Sequence, residues 1–297
     1  MELRVLRYYL AIVREENMSR AAEALHLTQP TLSRQIAGLE RELGTSLFAR
    51  GRRLELTDAG LRLARRAEEL LALADKVEGE FRDDGGFVGT ISIGSGGLSS
   101  TRILPAAMDE FRRLHPGVGF ELYTNSAEYV KERLDAGLLD FAIMMEPVDV
   151  SRYAYARLGG KERWGLLVRS GSELARKRSV GPDDLPGTPL VSTGRPELIA
   201  EITGWLGMPM ERLDIVCTFN LLTTALMLVE SGTASALTIE GAVTHLDPRR
   251  FAFRPLEPAL TMSSVLACKK APPGNSAASA FLNLLHAMHS GHEKSKT

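Results

Sequence analysis

The stretch SRAAEALHLTQPTLSRQIAGLE, residues 19–40, predicts two short helices separated by a tight polar turn. Ser19 is a candidate N-cap for the first helix, which we expect to end near His26, and Thr28 is a candidate N-cap for the second. Pro30 falls in the first turn of the second helix, where its missing N–H would have no partner anyway. The stretch therefore predicts a helix-turn-helix.

The second helix has an apolar face and a polar face. Its predicted buried residues recur at helical spacing and are Leu32, Ile36, Leu39 and Leu43, with Gly44 as the stop. The polar side chains suit DNA, because glutamine pairs with adenine, arginine pairs with guanine, and hydroxyls bind phosphates or bases. Taken alone, an ordinary solvated helix face explains them better. These residues are Gln29, Thr31, Ser33, Arg34 and Gln35.

Sequence on both sides of this stretch favours the DNA-reading interpretation. Upstream, an apolar stripe predicts a first helix, and its members are Leu3, Leu6, Leu10 and Val13. Downstream, residues 47–50 and 53–57 are short strand-like runs that predict a hairpin. Its tip carries Arg50, Arg52 and Arg53, which suit phosphate or minor-groove contacts. These elements together predict a winged helix-turn-helix.

Residues 19–60 resemble the N-terminal signature of LysR-type transcriptional regulators, over a run long enough to be specific. The resemblance implies a winged helix-turn-helix DNA-binding domain at residues 1–60 and promoter DNA, double-stranded, as a partner. It also implies that the recognition helix approaches DNA through Gln29, Pro30, Ser33 and Arg34, and the wing through Arg50, Arg52 and Arg53.

Residues 57–84 predict a linker helix that begins at Thr57 and Asp58. Its apolar positions alternate by four and three, as in a coiled coil. A helix with one narrow stripe could instead dock on its own domain. The resemblance favours dimerisation, because LysR-type regulators dimerise through this helix. The predicted dimerisation residues are Leu63, Ala67, Leu70, Ala74, Val77 and Phe81.

A pair of linked recognition helices has a consequence for the DNA. Two copies held at a fixed spacing read a dyad-symmetric site. We therefore expect a homodimer, extended to a homotetramer, whose spacing on bent DNA changes when an effector binds. RNA polymerase is a further partner to consider.

Residues 90–297 predict an α/β domain with a largely parallel sheet, because short apolar strands alternate with helical stretches. The predicted strands include residues 141–145, 164–168 and 215–219. The segments ILPAAMDEFRRLHPGV, LDAGLLDFAIMMEP and LVESGTASALTI resemble landmarks of the LysR-type effector-binding domain. That domain resembles periplasmic-binding-protein folds, with two α/β lobes around a ligand cleft. The resemblance implies lobe I at residues 90–162 and 268–297, and lobe II at residues 163–267, joined by two crossing strands.

The turn at residues 94–101 is rich in glycine and hydroxyls, and such a strand-to-helix turn exposes backbone N–H groups that favour an anion. Ligands bind at the carboxyl ends of strands in open α/β sheets. We therefore hypothesise a small anionic effector, a carboxylate, although Glu240 at the end of a strand would oppose one. Taken alone, each residue is better explained by a turn or cap role, and only their shared location at predicted strand ends favours a ligand site. The candidate effector-binding residues are Ser95, Gly96, Ser99, Ser100, Thr124, Asn125, Ser192, Thr193, Arg195 and Asn220.

Sequence motifs for catalysis and cofactors are missing. There is no P-loop, complete dinucleotide fingerprint, Gly-x-Ser-x-Gly, His-Glu-x-x-His or Cys-x-x-Cys. We expect no enzyme activity and no cofactor. Two of the residues His286, His289 and His292 could share a helix face, but no cysteine or carboxylate cluster completes a site, so we expect no metal.

Composition places the protein in the cytoplasm with no membrane partner. No apolar run approaches the length of about 20 residues that a membrane span needs. The first residues form a charged amphipathic helix rather than a signal peptide. Cys217 and Cys268 are predicted to be reduced core thiols.

The alternatives to a transcriptional regulator are a solute-binding module and an α/β enzyme with an ancillary DNA-binding head.

Overall fold

The computed structural model describes residues 1–49, 54–80, 87–270 and 277–294, with only the backbone at 76, 79, 80 and 289–294. The chain forms two compact units, Met1–Arg82 and Asp83–Thr297. Predicted site residues outside the described part are Arg50, Arg52, Arg53 and Phe81.

The first unit is helical. Its helices are α1 (Leu3–Glu15), α2 (Met18–Ala24), α3 (Gln29–Leu43) and α4 (Asp58–Glu80). Helix α1 packs against α2, α3 and α4, and their apolar faces share one core.

Helix α1 buries a different stripe from the predicted one. Leu6 is buried as expected, but Leu3 is exposed, and Tyr9 and Ile12 take the central core positions. Burial, followed by the nearby carboxylate of Glu40, raises the pKa of the Tyr9 hydroxyl to about 12. The tyrosine fits the core because its hydroxyl has a hydrogen-bond partner there.

The cap of α2 also differs from the prediction. Asn17, not Ser19, is the N-cap residue, and its Oδ1 accepts hydrogen bonds from the backbone N–H groups of Ser19 (2.9 Å) and Arg20 (3.0 Å). The helix ends at Ala24, and His26 adopts a left-handed conformation with φ of 54°. Asparagine is favoured at an N-cap because its side-chain oxygen accepts hydrogen bonds from backbone N–H groups that would otherwise have no partner.

Helix α3 begins after Thr28, has Pro30 in its first turn and stops before Gly44, its C-cap residue, as predicted. Gly44 has φ of 66°, which favours glycine. Thr28 makes no side-chain cap, because its hydroxyl pairs with that of Thr31 at 2.8 Å. The prediction that Leu43 is buried is wrong, since its side chain is exposed in the last turn.

The start of α4 is fixed by the chain that precedes it. Phe48 and Leu56 form an antiparallel β-bridge at the base of the predicted wing. The Thr57 hydroxyl accepts a hydrogen bond from Gly60 N (3.0 Å), which confirms the predicted cap. A Cβ at Gly60 would lie 2.2 Å from the carbonyl oxygen of Leu47, so this position requires glycine.

Among the residues that the structure describes, the second unit forms one sheet of nine strands, which are β1 (Gly89–Ser95), β2 (Val118–Thr124), β3 (Phe141–Met145), β4 (Tyr153–Arg169), β5 (Leu190–Thr193), β6 (Ile215–Phe219), β7 (Ser235–Ile239), β8 (Phe251–Pro255) and β9 (Thr261–Lys269). The strand order is β2-β1-β3-β9-β4-β7-β5-β6, and β8 also pairs with β4. Its α-helices are α5 (Ile103–Leu114), α6 (Ala127–Asp135), α7 (Pro196–Leu206), α8 (Leu222–Ser231) and α9 (Ala277–Lys294).

Two lobes share this sheet. Strands β1, β2 and β3 pair in parallel in the first lobe, and β5 pairs in parallel with β6 and β7 in the second. Strands β4 and β9 are antiparallel to each other and connect the lobes. The predicted strand at residues 164–168 is only the end of β4, and the sequence did not predict β8.

The two cysteines differ in environment. Cys268 is buried on β9, and burial raises the pKa of its thiol. Cys217 is exposed because it lies on β6, the edge strand of the sheet, whose three middle residues are all exposed. The prediction of two core thiols is therefore wrong for Cys217.

Candidate DNA-reading surface and effector cleft

The recognition helix α3 presents polar side chains on the face opposite its core residues. Gln29, Pro30 and Arg34 are exposed, while Thr31 and Ser33 are half-buried. The Arg34 Nε donates to the carbonyl oxygen of Pro30 (3.3 Å), one turn earlier. This contact directs the arginine toward the N-terminal end of the helix, the end that contacts base edges in helix-turn-helix proteins.

The linker helix α4 is covered by its own unit at the start and exposed further on. Ala67 is fully buried, and Leu63 is partly buried against the same core. Leu70 and Val77 are exposed, as is Leu73 between them. The side of α4 that remains open to a second chain therefore begins near Leu70, and Ala67 is not available to it.

In the first lobe, the structure brings three predicted residues to the ends of two neighbouring strands. Ser95 lies opposite Thr124 in the parallel pair of β1 and β2, and Asn125 N donates to Ser95 O (3.1 Å). The Asn125 side chain donates to the Tyr123 hydroxyl (2.9 Å) and accepts from Ser126 N (2.8 Å). Asn125 thus shapes the turn through its own neighbours.

In the second lobe, the predicted residues again meet at adjacent strand ends, since Thr193 lies opposite Phe219. The Thr193 hydroxyl accepts from Arg195 N (3.2 Å), and the Asn220 side chain accepts from Leu221 N (2.9 Å). Ser192 is buried, and its hydroxyl has no hydrogen-bond partner among the described residues.

Arg195 joins the two lobes. It precedes α7 in the second lobe, and its Nη2 donates to the carbonyl oxygen of Pro147 (3.0 Å) in the first. Its Nε lies 2.8 Å from Oε1 of Glu128 on α6, at ion-pair distance, although that N–H makes no hydrogen bond. Only 15% of the Arg195 side chain is exposed. The predicted cation therefore already contacts residues of both lobes.

The charge of Glu128 responds to this contact. Partial burial raises the pKa of its carboxyl, but hydrogen bonds from its own backbone and from Ser126, together with the Arg195 guanidinium, outweigh burial and lower the pKa. The carboxylate form, and with it the ion pair, is favoured as a result.

Glu162 is the site residue that the sequence did not predict. It lies on β4, and only 1% of it is exposed. Its Oε2 accepts from Ser99 N (3.0 Å) and its Oε1 accepts from Ser100 N (3.0 Å). These are backbone donors of the turn that the sequence assigned to an anionic effector. In this structure, a carboxylate of the chain itself occupies them.

The backbone that follows β7 packs against the same turn. A Cβ at Gly241 would lie 2.2 Å from Ser99 N, so the second lobe approaches the first very closely here. Glu240 lies 3.7 Å from Arg163, and both side chains are about half exposed. Glu240, which the sequence analysis expected to oppose an anion, therefore has the guanidinium of Arg163 beside it.

Strand alternation is the signal that could have revealed Glu162. Residues two apart in a strand share a face. Glu162, Trp164, Leu166 and Val168 are all buried, so the glutamate continues the core face of β4. A buried carboxylate needs compensation, and this need would have pointed to a set of donors nearby.

In the described part of the chain, no group of three or more His, Cys, Asp and Glu side chains is arranged to hold a metal ion. The side chains of His289 and His292 lie outside that part. No described helix has the length and apolar character needed to cross a membrane.

Comparison with known proteins identifies the family. Residues 84–290 match the LysR substrate binding domain, and residues 3–61 match the bacterial regulatory helix-turn-helix protein, lysR family. The chain belongs to the LysR family. The predicted identification and the predicted fold class are both confirmed, and the protein is a LysR-type transcriptional regulator with a DNA-binding domain and an effector-binding domain.

Relatives match nearly the whole chain. The SDS degradation transcriptional activation protein of Pseudomonas sp. (strain ATCC 19151) is 30% identical over 271 residues, which cover 87% of this chain and 86% of the relative. The Hca operon transcriptional activator HcaR of Escherichia coli (strain K12) is 29% identical over 267 residues, which cover 86% of this chain and 87% of HcaR.

Solved structures share the fold. CbnR, a LysR family transcriptional regulator, aligns with a TM-score of 0.74 and 24% identity, over 97% of this chain and 99% of CbnR. Full-length BenM aligns with a TM-score of 0.54 and 25% identity, over 99% of this chain and 98% of BenM. Full-length CbnR has also been solved as a complex with its target DNA.

Proposed function

We propose that this LysR-type regulator binds a dyad-symmetric promoter site as a homodimer and changes its DNA contacts when a small carboxylate binds between the lobes of its effector domain. The observation that carries the proposal is the exposed polar end of α3, with Gln29, Pro30 and Arg34. Glutamine and arginine read base edges in a major groove, which admits a helix of this width.

Self-association is supported by the open side of α4. Leu70, Leu73 and Val77 leave apolar surface uncovered on a helix that follows the DNA-binding head. A second copy would bury it and would place two recognition helices at a fixed spacing. We further propose that dimers pair into a homotetramer and that RNA polymerase is a partner, since two relatives are named as transcriptional activators. DNA as the target favours action in the cytoplasm.

The test uses two arginines of α3 that make the same local contact. Arg34 Nε donates to Pro30 O (3.3 Å) and Arg41 Nε donates to Ala37 O (3.2 Å), but only Arg34 lies near the N-terminal end. The operator is first recovered by genomic footprinting with the wild-type protein. In mobility-shift titrations, Arg34→Ala should weaken binding by about 1–3 kcal/mol per half-site and relax one base position.

Arg41→Ala serves as the matched control and should bind the operator as the wild type does. Equal losses for the two variants, or no loss for Arg34→Ala, would mean that another surface reads the DNA. The wing arginines are proposed to contact phosphates. Arg52→Ala should therefore weaken binding to all sequences and reduce the slope of log K against log salt by about one.

Two alternative functions remain. An α/β enzyme, or a module that only binds solute, would also have a cleft between two lobes. We propose that the cleft binds its ligand without turning it over, because the residues at the strand ends are serine, threonine and asparagine whose polar groups mostly serve the local backbone. Product formation from a metabolite that also shifts operator binding would contradict this.

A further inference from the structure

Glu162 is a buried charge whose partners are backbone donors. Its carboxylate is almost fully covered, and each oxygen accepts one N–H hydrogen bond from the turn. In the described part of the chain, Arg163 pairs with Glu240, Arg195 pairs with Glu128, and no ion pair involves Glu162. The two N–H groups therefore provide the compensation that a buried carboxylate requires.

We propose that Glu162 is a built-in carboxylate ligand of this turn, and that a carboxylate effector can use the turn only by taking the place of Glu162. This inference rests on the proposed function, in which the effector is a carboxylate. A tethered carboxylate has a high effective concentration at its own site. The effector must therefore make further contacts in the cleft to displace it.

The position of Glu162 links this exchange to the two lobes. Strand β4 pairs with β9 through Leu158, and the register then shifts before pairing resumes at Glu162. Gly160 lies inside the shift with φ of 89°, and a Cβ there would meet no atom within 4 Å. Beyond Glu162, Trp164 pairs with Ile239 in the second lobe. Glu162 is thus the first paired residue after an irregular step in a strand that connects the lobes.

Displacement would release the crossing strand from the turn. In the arrangement seen here, the carboxylate ties β4 to Ser99 and Ser100, and Gly241 at the end of β7 packs on the same turn. Loss of the tie would leave the strand held by its sheet pairing alone on either side of the irregular step. The lobes could then adopt a second arrangement, which is the differential contact that a ligand-driven change requires.

Chemical rescue by acetate tests the proposal without knowledge of the natural effector. Glu162→Ala removes the carboxylate and leaves the N–H groups of Ser99 and Ser100 without acceptors. Thermal unfolding is followed with increasing sodium acetate against sodium chloride at equal ionic strength. Acetate should raise the melting temperature of Glu162→Ala saturably, by about 2–4 °C or more, and the amide signals of Ser99 and Ser100 should shift in NMR spectra.

Glu240→Ala is the matched control, because it removes a neighbouring carboxylate whose contact is an arginine side chain rather than this turn. Neither this variant nor the wild type should respond to acetate beyond the chloride baseline. At the acetate concentration that saturates Glu162→Ala, the wild type should stay at this baseline, because its tethered carboxylate still holds the turn. Equal responses in wild type and variant would overturn the proposal, as would an absent response in Glu162→Ala.

Folding of the variant decides the remaining cases. Recovery of folded Glu162→Ala only when acetate is present would itself be rescue and would support the proposal. If neither salt allows folding, Glu162→Gln is used, since its amide NH2 cannot accept the second N–H. A melting temperature equal to that of the wild type would then overturn the proposal, and a fall of at least about 2 °C would support it. The operator titrations with Arg34→Ala test DNA reading independently of either result.

Discussion

Arg195 Nε lies 2.8 Å from Oε1 of Glu128, and this pair joins the second lobe of the effector unit to the first. The guanidinium also donates to Pro147 O, so one side chain holds two points of the opposite lobe. The contact lies between the strand ends that the sequence assigned to the effector. A ligand that binds between these strand ends finds the lobes already joined through Arg195.

Arg195→Met should raise the pKa of the Glu128 carboxyl, because the favourable charge beside it is lost. The wild-type pKa lies below the usual value of 4.5, so this interaction stabilises the fold above pH 4.5 and is lost as pH falls through the folded pKa. Carbon-detected NMR titration of Glu128 measures the shift. Arg157→Met is the control, since Arg157 pairs with Glu146 instead (3.0 Å) and should leave Glu128 unchanged.

Gly60→Ala should destabilise the DNA-binding unit, because its Cβ would lie 2.2 Å from Leu47 O and Gly60 O accepts the Tyr9 hydroxyl (2.8 Å). We expect a loss of about 1–3 kcal/mol in the free energy of unfolding, measured by urea denaturation. Gly38→Ala is the control, since only the end of the Arg41 side chain lies within 4.0 Å of its Cβ. It should stabilise α3 by about 0.5–1 kcal/mol. Similar effects of the two substitutions would contradict the close contact at Gly60.

Asn17→Ala should cost about 1 kcal/mol of stability, because two backbone N–H groups of α2 lose their acceptor. Ser19→Ala should cost less than half as much, since the Ser19 hydroxyl caps nothing at this end. Chemical denaturation of both variants gives the comparison. A larger loss for Ser19→Ala would restore Ser19 as the cap.

Leu70→Glu should weaken self-association at least about tenfold, because it places a charge in the apolar stripe that a second copy would bury. Sedimentation equilibrium gives the dissociation constant. Leu61→Glu changes an exposed leucine of the same helix that lies off the stripe, and it should associate as the wild type does. Unchanged association of Leu70→Glu would place the dimer contact elsewhere.

Local sequence patterns predicted helix ends and strand bounds well where a single local interaction determines them. Gly44 and Thr57 act at helix ends as predicted, because backbone geometry and unpaired N–H groups determine those positions. The strands Phe141–Met145 and Ile215–Phe219 have the predicted bounds. The stripe of α1 was misplaced because Tyr9 finds a hydroxyl partner in Gly60, far along the chain, and periodicity carries no information about such partners.

The cleft was harder to predict because its contacts join distant segments. The strand ends brought Ser95 and Thr124 together, as expected from the carboxyl-end rule. No local pattern pairs Arg195 with Glu128 or Glu162 with the first turn, since each partner is more than sixty residues away along the chain. The irregular step in β4 that places Glu162 is likewise invisible to a two-residue repeat.

Strand β4 has 17 residues and belongs to the hydrogen-bond ladders of both lobes, with β9 on one side and β7 and β8 further along. If one lobe unfolds, the sheet of the other lobe loses the pairing that β4 provides. Amide hydrogens on both halves of β4 should therefore exchange with solvent through one shared opening event. We therefore expect the two lobes of the effector domain to unfold together, in one cooperative transition.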